Sequence, residues 1–265
     1  MSFVTAENIA QSYGNRPILE RVSLEVSEGT FVSIVGASGC GKSTFLRLLL
    51  DQERPTKGEI RVDGQPLQGE PNRSRGIVFQ KYSTFPHMTV RDNLVAAEGL
   101  GANLFGFLPR ARRDAARERA MEALDRIGLA HVAHQYPATL SGGMQQRLAI
   151  AQALAAKPRI LLLDEPFGAL DPGTRERMHD FLQELRAETG MTVFMVTHDL
   201  SEAFKLGDRV LVFDKVRWDP QFPDAFGATI TYDFDARDGG IPFQRIKEEI
   251  NDPEHRAAEP LTPPA

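Results

Sequence analysis

The sequence has little of several features that would place it in a specialised class. It contains one cysteine, Cys40, so no disulfide can form within the chain, and a reducing compartment is expected. Its longest apolar runs, such as residues 160–163 and 193–196, are about four residues long, whereas crossing a bilayer takes roughly 20. The first residues lack the basic and apolar regions of a signal peptide. We therefore expect a cytoplasmic protein that reaches a membrane only through a partner.

Excess positive charge is also absent. The 31 Lys and Arg residues are outnumbered by 36 Asp and Glu residues, which gives a formal net charge of -5. Nucleic-acid binders usually need a basic surface to neutralise phosphates, so no nucleic-acid partner is expected. With 265 residues, of which 42% are hydrophobic, the chain is long enough for one large domain with its own core.

Short β-rich apolar runs recur between longer helical stretches. Continuous apolar runs of this kind are typical of strands buried on both faces. The clearest of them are residues 31–35, 76–79, 160–163, 193–196 and 210–213. The alternation predicts an α/β domain with a mainly parallel sheet, in which ligands bind at the carboxyl ends of the strands.

The pattern changes to helices between residues 88 and 156. In one segment, four apolar side chains lie on a single helical face: Ala116, Ala120, Leu124 and Ile127. We predict a helical subdomain at 88–156, inserted into a core formed by 1–87 and 157–215. Residues 216–252 are predicted to form a C-terminal extension of unassigned role. The Pro-rich residues 253–265 cannot bury enough apolar surface to order themselves and are predicted to be disordered.

A glycine-rich loop follows the first of these buried strands. Residues 36–43 form the pattern G-x-x-x-x-G-K-S directly before an apolar-periodic helix. Its glycines let the backbone wrap around phosphates, the helix N-terminus supplies partial positive charge, and Lys42 adds a full charge. Ser43 is placed to bind Mg²⁺, whereas Cys40 needs no reactive role. The predicted nucleotide site comprises Gly36, Ala37, Ser38, Gly39, Cys40, Gly41, Lys42, Ser43 and Thr44.

Two adjacent acids end the buried strand at 160–163. Asp164 can hold Mg²⁺ through water, and Glu165 can polarise an attacking water. Phosphate loops also occur in kinases, GTPases and motors, so the loop alone does not decide between these classes. Together, the loop and the acids predict a nucleoside triphosphatase with Glu165 and Lys42 among its catalytic residues.

Residues 140–147, LSGGMQQR, form a second turn suited to anions at the start of a helix. Ser141 is the expected N-cap, and Gly142 and Gly143 permit close backbone approach. With the phosphate loop and the acidic strand, this segment resembles the signature motif of the ABC ATPase family, and the resemblance covers about residues 1–215. It implies a P-loop core with an N-terminal antiparallel β subdomain, ATP and Mg²⁺ as cofactors, and a second copy of the chain. In that family, the signature turn of one copy closes on the ATP held by the other.

Four further residues match family positions in the expected order. Tyr13 resembles the aromatic residue that stacks on adenine, although it could be an ordinary surface or core tyrosine. Gln80 resembles the glutamine that contacts Mg²⁺ and the attacking water. Asp171 resembles the acid of a loop that crosses the dimer interface, with a simple N-cap as the alternative. His198 resembles the histidine that bonds the γ-phosphate and orients Glu165 or water.

Within the family, the segments TVRDN and TLSGGMQQR look most like importer ATPases of the nitrate, sulfonate and taurine group. This implies polytopic permease subunits, an indirectly coupled substrate-binding protein and a location on the inner face of the cell membrane. The permease is expected to dock at residues 81–93, with Tyr82, Phe85 and Met88 exposed. Residues 99–108 are expected either to extend that surface or to pack inside the helical subdomain.

The sequence favours a transporter subunit over two other classes of P-loop protein. A soluble ABC ATPase of repair or translation usually has two cassettes or a coiled-coil insertion, and neither is evident in the sequence. A kinase with a P-loop does not account for the turn at 141–143. The sequence does not identify the transported solute.

Overall fold

The computed structural model describes residues 2–68, 74–79, 84–100, 110–217 and 225–236. The chain divides into two compact units, Met1–Glu70 with Val196–Ala265, and Pro71–Met195. The boundaries predicted at residues 88, 156 and 216 stay predictions. Within the described residues, no helix has both the length and the apolar character of a transmembrane segment.

The first unit contains an N-terminal antiparallel sheet in the order β2-β1-β4-β5. Its strands are β1 Ser2–Tyr13, β2 Arg16–Ser27, β4 Lys57–Val62 and β5 Gln65–Pro66. In β2, buried Val22, Leu24 and Val26 alternate with exposed neighbours, as expected for a strand with one face on a core and one in solvent. The antiparallel subdomain implied by the family resemblance is therefore confirmed.

A second group of strands in this unit carries the glycine-rich loop. Strand β3, Phe31–Gly36, is buried along its whole length and pairs in parallel with β9, Arg209–Asp214. Helix α1, Lys42–Leu49, follows the loop, and helix α6, Leu200–Leu206, precedes β9. These parallel strands confirm the α/β class predicted from the continuous apolar runs.

Strand β10, Thr229–Asp235, was not predicted and pairs antiparallel with β9. Its sequence TITYDFD alternates polar and apolar residues, which is the signal for a half-buried strand. Tyr232 and Phe234 stack on each other at 5.6 Å between ring centroids. Both pack against the core cluster that contains Val35, Ala203, Val210 and Val212. Part of the predicted extension is thus an integral strand of the first unit.

The residues before β10 also bind the antiparallel sheet. Ala228 donates a backbone hydrogen bond to Ile18 O at 2.9 Å and accepts one from Glu20 N at 2.9 Å. Arg209 on β9 donates both to the Asp233 carboxylate and to the backbone oxygen of Glu25. This C-terminal segment therefore links the two sheets of the first unit.

Among its described residues, the second unit combines three strands with four α-helices. Its strand order is β8-β7-β6, with β6 Arg75–Val78 parallel to β7 Ile160–Asp164, and β8 Thr192–Val196 beside β7. The helices are α2 Val90–Leu100, α3 Arg110–Arg126, α4 Gly142–Ala155 and α5 Pro172–Thr189. The apolar face predicted on α3 and the residue after it is confirmed, because all four of its side chains are buried: Ala116, Ala120, Leu124 and Ile127.

A short loop before α2 is held by one buried asparagine. Asn93 is fully buried; its Nδ2 donates to Phe85 O at 3.1 Å and Met88 O at 3.2 Å, and its Oδ1 accepts from Phe85 N at 2.7 Å. Phe85 and Met88 are half-buried rather than exposed as expected, because the loop folds back onto Asn93. Tyr82 and residues 101–108 of the expected docking surface lie outside the described residues.

Candidate functional site

The glycine-rich loop has a backbone that only glycine allows at its first position. Strand β3 ends at Gly36, whose φ is 148°. A Cβ there would lie 2.1 Å from the backbone oxygen of Phe213 on β9, and real Cβ atoms do not approach other atoms that closely. At the other end, Gly41 is the N-cap of α1 with a left-handed φ of 84°. The spacing of the two glycines thus fits one strand end and one helix start.

The Lys42 side chain lies within this loop. Its Nζ donates to Gly36 O at 2.7 Å and to Ala37 O at 2.8 Å, and it lies 3.8 Å from the Cys40 sulfur. Lys42 is 9% exposed, whereas Ser43 is exposed at the first turn of α1. Backbone N–H groups in a first turn have no acceptor within the helix. An ammonium beside a helix N-terminus forms a cradle that fits phosphate groups.

Cys40 is buried inside the same loop. It is 4% exposed, and burial raises the pKa of its thiol, although the nearby Lys42 ammonium partly opposes this. A thiol with a raised pKa stays protonated at neutral pH and reacts slowly. The expectation that Cys40 has no reactive role stays a prediction.

Tyr13 presents its ring to solvent while its hydroxyl is held. The residue is 45% exposed, and its hydroxyl donates to the Glu53 carboxylate. Arg47 donates to the Tyr13 hydroxyl at 3.3 Å and forms an ion pair with Glu53 at 2.8 Å. These contacts restrict the ring without covering it, which suits stacking on a base.

His198 belongs to the same unit as the phosphate loop. It is exposed and follows Thr197, whose N–H donates to Ile34 O on β3 at 3.1 Å. The Thr197 hydroxyl donates to Glu202 at 2.6 Å, and Asp199 caps α6 by accepting from Glu202 N at 3.2 Å. These bonds fix the backbone on both sides of His198. The histidine is thereby anchored to the strand that carries the loop.

The paired acids lie in the second unit at the end of β7. Asp164 is the last residue of that strand, and both acids are half-buried. Glu165 has φ 50°, a left-handed conformation that few non-glycine residues adopt outside turns and functional sites. Its backbone oxygen accepts a hydrogen bond from the Gln146 Nε2 at 3.3 Å. The expected strand end is confirmed, and the conformation of Glu165 could not be read from the sequence.

The signature turn lies at the start of α4 in this unit. Ser141 is the N-cap, as predicted, and its hydroxyl accepts from Met144 N at 3.4 Å. The Gln145 side chain donates to Pro137 O at 2.9 Å and Leu140 O at 3.3 Å. A Cβ on Gly143 would lie 3.2 Å from the Leu170 side chain, which brings the turn next to the residue before Asp171. Ser141 and Gly142 are exposed.

Asp171 caps helix α5. Its Oδ1 accepts from Thr174 N at 3.0 Å. Hydrogen bonds from Thr174 lower the pKa of the Asp171 carboxyl. The N-cap alternative for this residue is therefore present, and Asp171 is exposed.

The predicted magnesium ligands are oxygen donors of the kind this hard cation prefers: Ser43, Asp164 and Gln80. Gln80 lies outside the described residues. In the part of the chain that the structure describes, no three His, Cys, Asp or Glu side chains cluster as a metal site would require. Each of these donors suits an ion that completes its coordination with phosphate oxygens and water.

Comparisons with known proteins agree on the family. The family model described as ABC transporter matches residues 19–168, which is more than half of the chain. A nitrate import ATP-binding protein of Synechocystis sp. is 46% identical over 199 residues, covering 75% of this chain and 71% of its own length. A bicarbonate transport ATP-binding protein of Synechococcus elongatus is 44% identical over 215 residues, covering 79% of this chain and 31% of its own length.

Other relatives extend this agreement. An Fe(3+) ions import ATP-binding protein of Brucella abortus is 44% identical over 211 residues, covering 79% of this chain and 58% of its own length. The chain thus spans less than two thirds of the length of the bicarbonate and iron relatives. These names give no support to the repair or translation alternative. A solved dimeric structure of a bacterial ABC transporter cassette has a TM-score of 0.74 and 33% identity, with 88% of this chain and 99% of that chain covered. The chain belongs to the ABC transporter family of ATP-binding cassettes.

Proposed function

We propose that this chain binds ATP and hydrolyses it to ADP and phosphate as the energising subunit of a solute importer. The observation that carries the proposal is the loop from Gly36 to Lys42, where a strand end, a left-handed N-cap and a buried ammonium form one phosphate cradle. The family and the named import relatives support coupling to transport.

The residues of the chain have separate roles in this reaction. Lys42 and the N-terminus of α1 bind and orient the phosphates, and Tyr13 stacks on the adenine. Glu165 orients a water and accepts its proton, while His198 donates a hydrogen bond to the γ-phosphate. Ser43, Asp164 and Gln80 would hold Mg²⁺, which would neutralise charge at the phosphates.

A second copy of the chain completes the site. Ser141 and Gly142 are exposed at the N-terminus of α4. Asp171 is also exposed, and it directly follows Leu170, whose side chain lies next to Gly143. Helix N-termini favour anions, so the turn of one copy is suited to the phosphates held by another. The dimeric state of the similar bacterial cassette supports this arrangement. Gly142, whose Cβ position meets nothing within 4 Å, gives the backbone room for that approach. Gly143 lets the turn pack against Leu170, and Asp171 contributes to the interface.

Permease subunits in the membrane couple ATP hydrolysis by this chain to solute transport. We place their contact at residues 81–93, where Asn93 holds the described part of the loop in one shape. Relatives named for nitrate, bicarbonate and iron show that similar cassettes serve different small ions. We infer a small solute of the nitrate, sulfonate or taurine kind, delivered by a substrate-binding protein, with this chain on the inner face of the membrane.

Co-expression with the polytopic membrane protein of its transport system tests this proposal. We expect the two proteins to co-purify and ATP hydrolysis to rise when a substrate-binding protein loaded with nitrate, a sulfonate or taurine is added. Hydrolysis by a chain that binds no membrane protein, and that responds to no loaded binding protein, would leave an ATPase without a transport role.

A further inference from the structure

One buried glutamine connects the signature helix to the turn that carries Glu165. Gln146 lies in the second turn of α4 and is 3% exposed. Its Nε2 donates to Glu165 O at 3.3 Å, and its Oε1 accepts from Ala169 N at 3.3 Å. The amide therefore binds both ends of a five-residue turn after β7, and each end uses a different polar atom of the side chain.

The turn needs such support because of its backbone. Glu165 has φ 50°, and a non-glycine residue keeps a conformation of this kind only where its surroundings determine it. Rotation of the Glu165 backbone toward the ordinary region would turn its carbonyl oxygen away from Gln146 and move the carboxylate with it. A buried amide that loses its hydrogen-bond partners costs free energy, so the ordinary conformation of Glu165 lies well above the left-handed one in free energy.

We propose that Gln146 is a positioning residue for Glu165: its side-chain amide holds the 165–169 turn in the conformation that aims the Glu165 carboxylate at the attacking water. This inference rests on the proposed role of Glu165 in ATP hydrolysis. Gln146 touches neither ATP nor water in this scheme, and it acts only through the backbone of the turn. The sequence pattern did not single it out, because a glutamine in a helix is usually a solvated residue.

Two substitutions in the full chain separate the two hydrogen bonds. Gln146→Leu keeps the approximate volume and removes both bonds, whereas Gln146→Glu keeps an acceptor for Ala169 N–H and loses the donor to Glu165 O. Gln152→Leu is the matched control on the same helix. Its Oε1 is buried and, among the described residues, has no hydrogen-bond partner. Glu165→Gln reports on the proposed function itself.

Three measurements are compared: Mg-ATP affinity, steady-state kcat and KM, and hydrogen exchange of the Ala169 amide without nucleotide. For Gln146→Leu we expect unchanged ATP affinity, a kcat lowered about 10- to 100-fold by the misplaced carboxylate, and faster exchange at Ala169. For Gln146→Glu we expect a similar loss of kcat with slow exchange retained. Gln152→Leu should match the wild type in all three.

The outcomes distinguish the inference from the function on which it rests. If kcat of both Gln146 variants stays within a factor of about two of wild type while Glu165→Gln abolishes hydrolysis, the positioning role is wrong and the proposed function stands. If Glu165→Gln hydrolyses ATP normally, the role of Glu165 as general base is wrong and the positioning role falls with it, whereas a wild-type chain that hydrolyses no ATP would overturn the proposed function. If kcat and ATP affinity fall together in Gln146→Glu, the residue supports the fold in general and the positioning role is wrong. Should Gln146→Leu fail to fold, Gln146→Glu carries the test alone.

Discussion

Replacement of Gly36 by alanine tests how closely the phosphate loop depends on its backbone. The new Cβ would lie 2.1 Å from Phe213 O, and that oxygen belongs to the β9 residue paired with Gly36. Because the neighbour is backbone, the clash cannot be relieved by a side-chain rotation. Either β9 shifts or the loop leaves its φ of 148°.

The expected magnitude has two parts. A non-glycine residue at this φ costs about 1–3 kcal/mol, and overpacking against fixed atoms costs about 1–3 kcal/mol more. The sum is about 2–6 kcal/mol. A chain of this size loses about 2–4 °C of Tm for each kcal/mol, so Gly36→Ala should melt about 4–24 °C lower than wild type. ATP affinity should fall as well, because Gly36 O is a partner of the Lys42 ammonium.

Substitution of a second glycine, Gly190, separates the backbone cost from the overpacking cost. Gly190 ends α5 with a φ of 67°, and a Cβ there would meet nothing within 4 Å. Gly190→Ala should therefore show only the backbone cost of about 1–2 kcal/mol and no change in ATP affinity. Thermal unfolding without nucleotide and equilibrium ATP binding provide the data. Equal Tm losses for the two variants, with ATP affinity intact in Gly36→Ala, would refute the steric reasoning.

Two other predictions concern titratable groups. Because burial raises the pKa of the Cys40 thiol, alkylation of this thiol should be slow at neutral pH and faster as the pH rises. Bound ATP should slow the alkylation. Labelling that is equal with and without ATP would show that the loop does not hold the nucleotide near Cys40. The pKa of Asp171 is lowered by Thr174, so its stabilising effect is complete above the ordinary carboxyl pKa and is lost as the pH falls through the lower folded value. Asp171→Asn should therefore reduce the fall in Tm between about pH 5 and pH 2, and an unchanged acid profile would contradict the capping role.

The buried strands and the loop were predictable from local sequence. Continuous apolar runs indicated β3, β7, β8 and β9 because strands covered on both faces need apolar residues on both. The glycine spacing indicated the loop because backbone geometry, rather than long-range packing, demands those residues. Ser141 was predictable as an N-cap for the same local reason.

Features that depend on distant contacts were missed. Strand β10 has a clear alternation from Thr229 to Asp235, but its flanking Gly and Asp residues concealed it, and its pairing with β9 is a long-range choice. The burial of Phe85 and Met88 depends on their hydrogen bonds with Asn93. The hydrophobic periodicity of the sequence does not reveal these bonds. Gln146 gains its partners only when α4 packs beside the turn after β7. Such contacts follow from tertiary packing, which a residue pattern does not contain.

The substitution Glu165→Gln removes the proposed general base of ATP hydrolysis, and Glu184→Gln on the exposed face of α5 is the control. A general base contributes about 10²–10⁴-fold to a rate, so Glu165→Gln should lose nearly all ATP hydrolysis. It should still bind Mg-ATP with wild-type affinity and should accumulate as an ATP-bound dimer, whereas Glu184→Gln should hydrolyse ATP normally. Hydrolysis by Glu165→Gln within a few-fold of wild type, with no ATP-dependent dimer, would contradict the account.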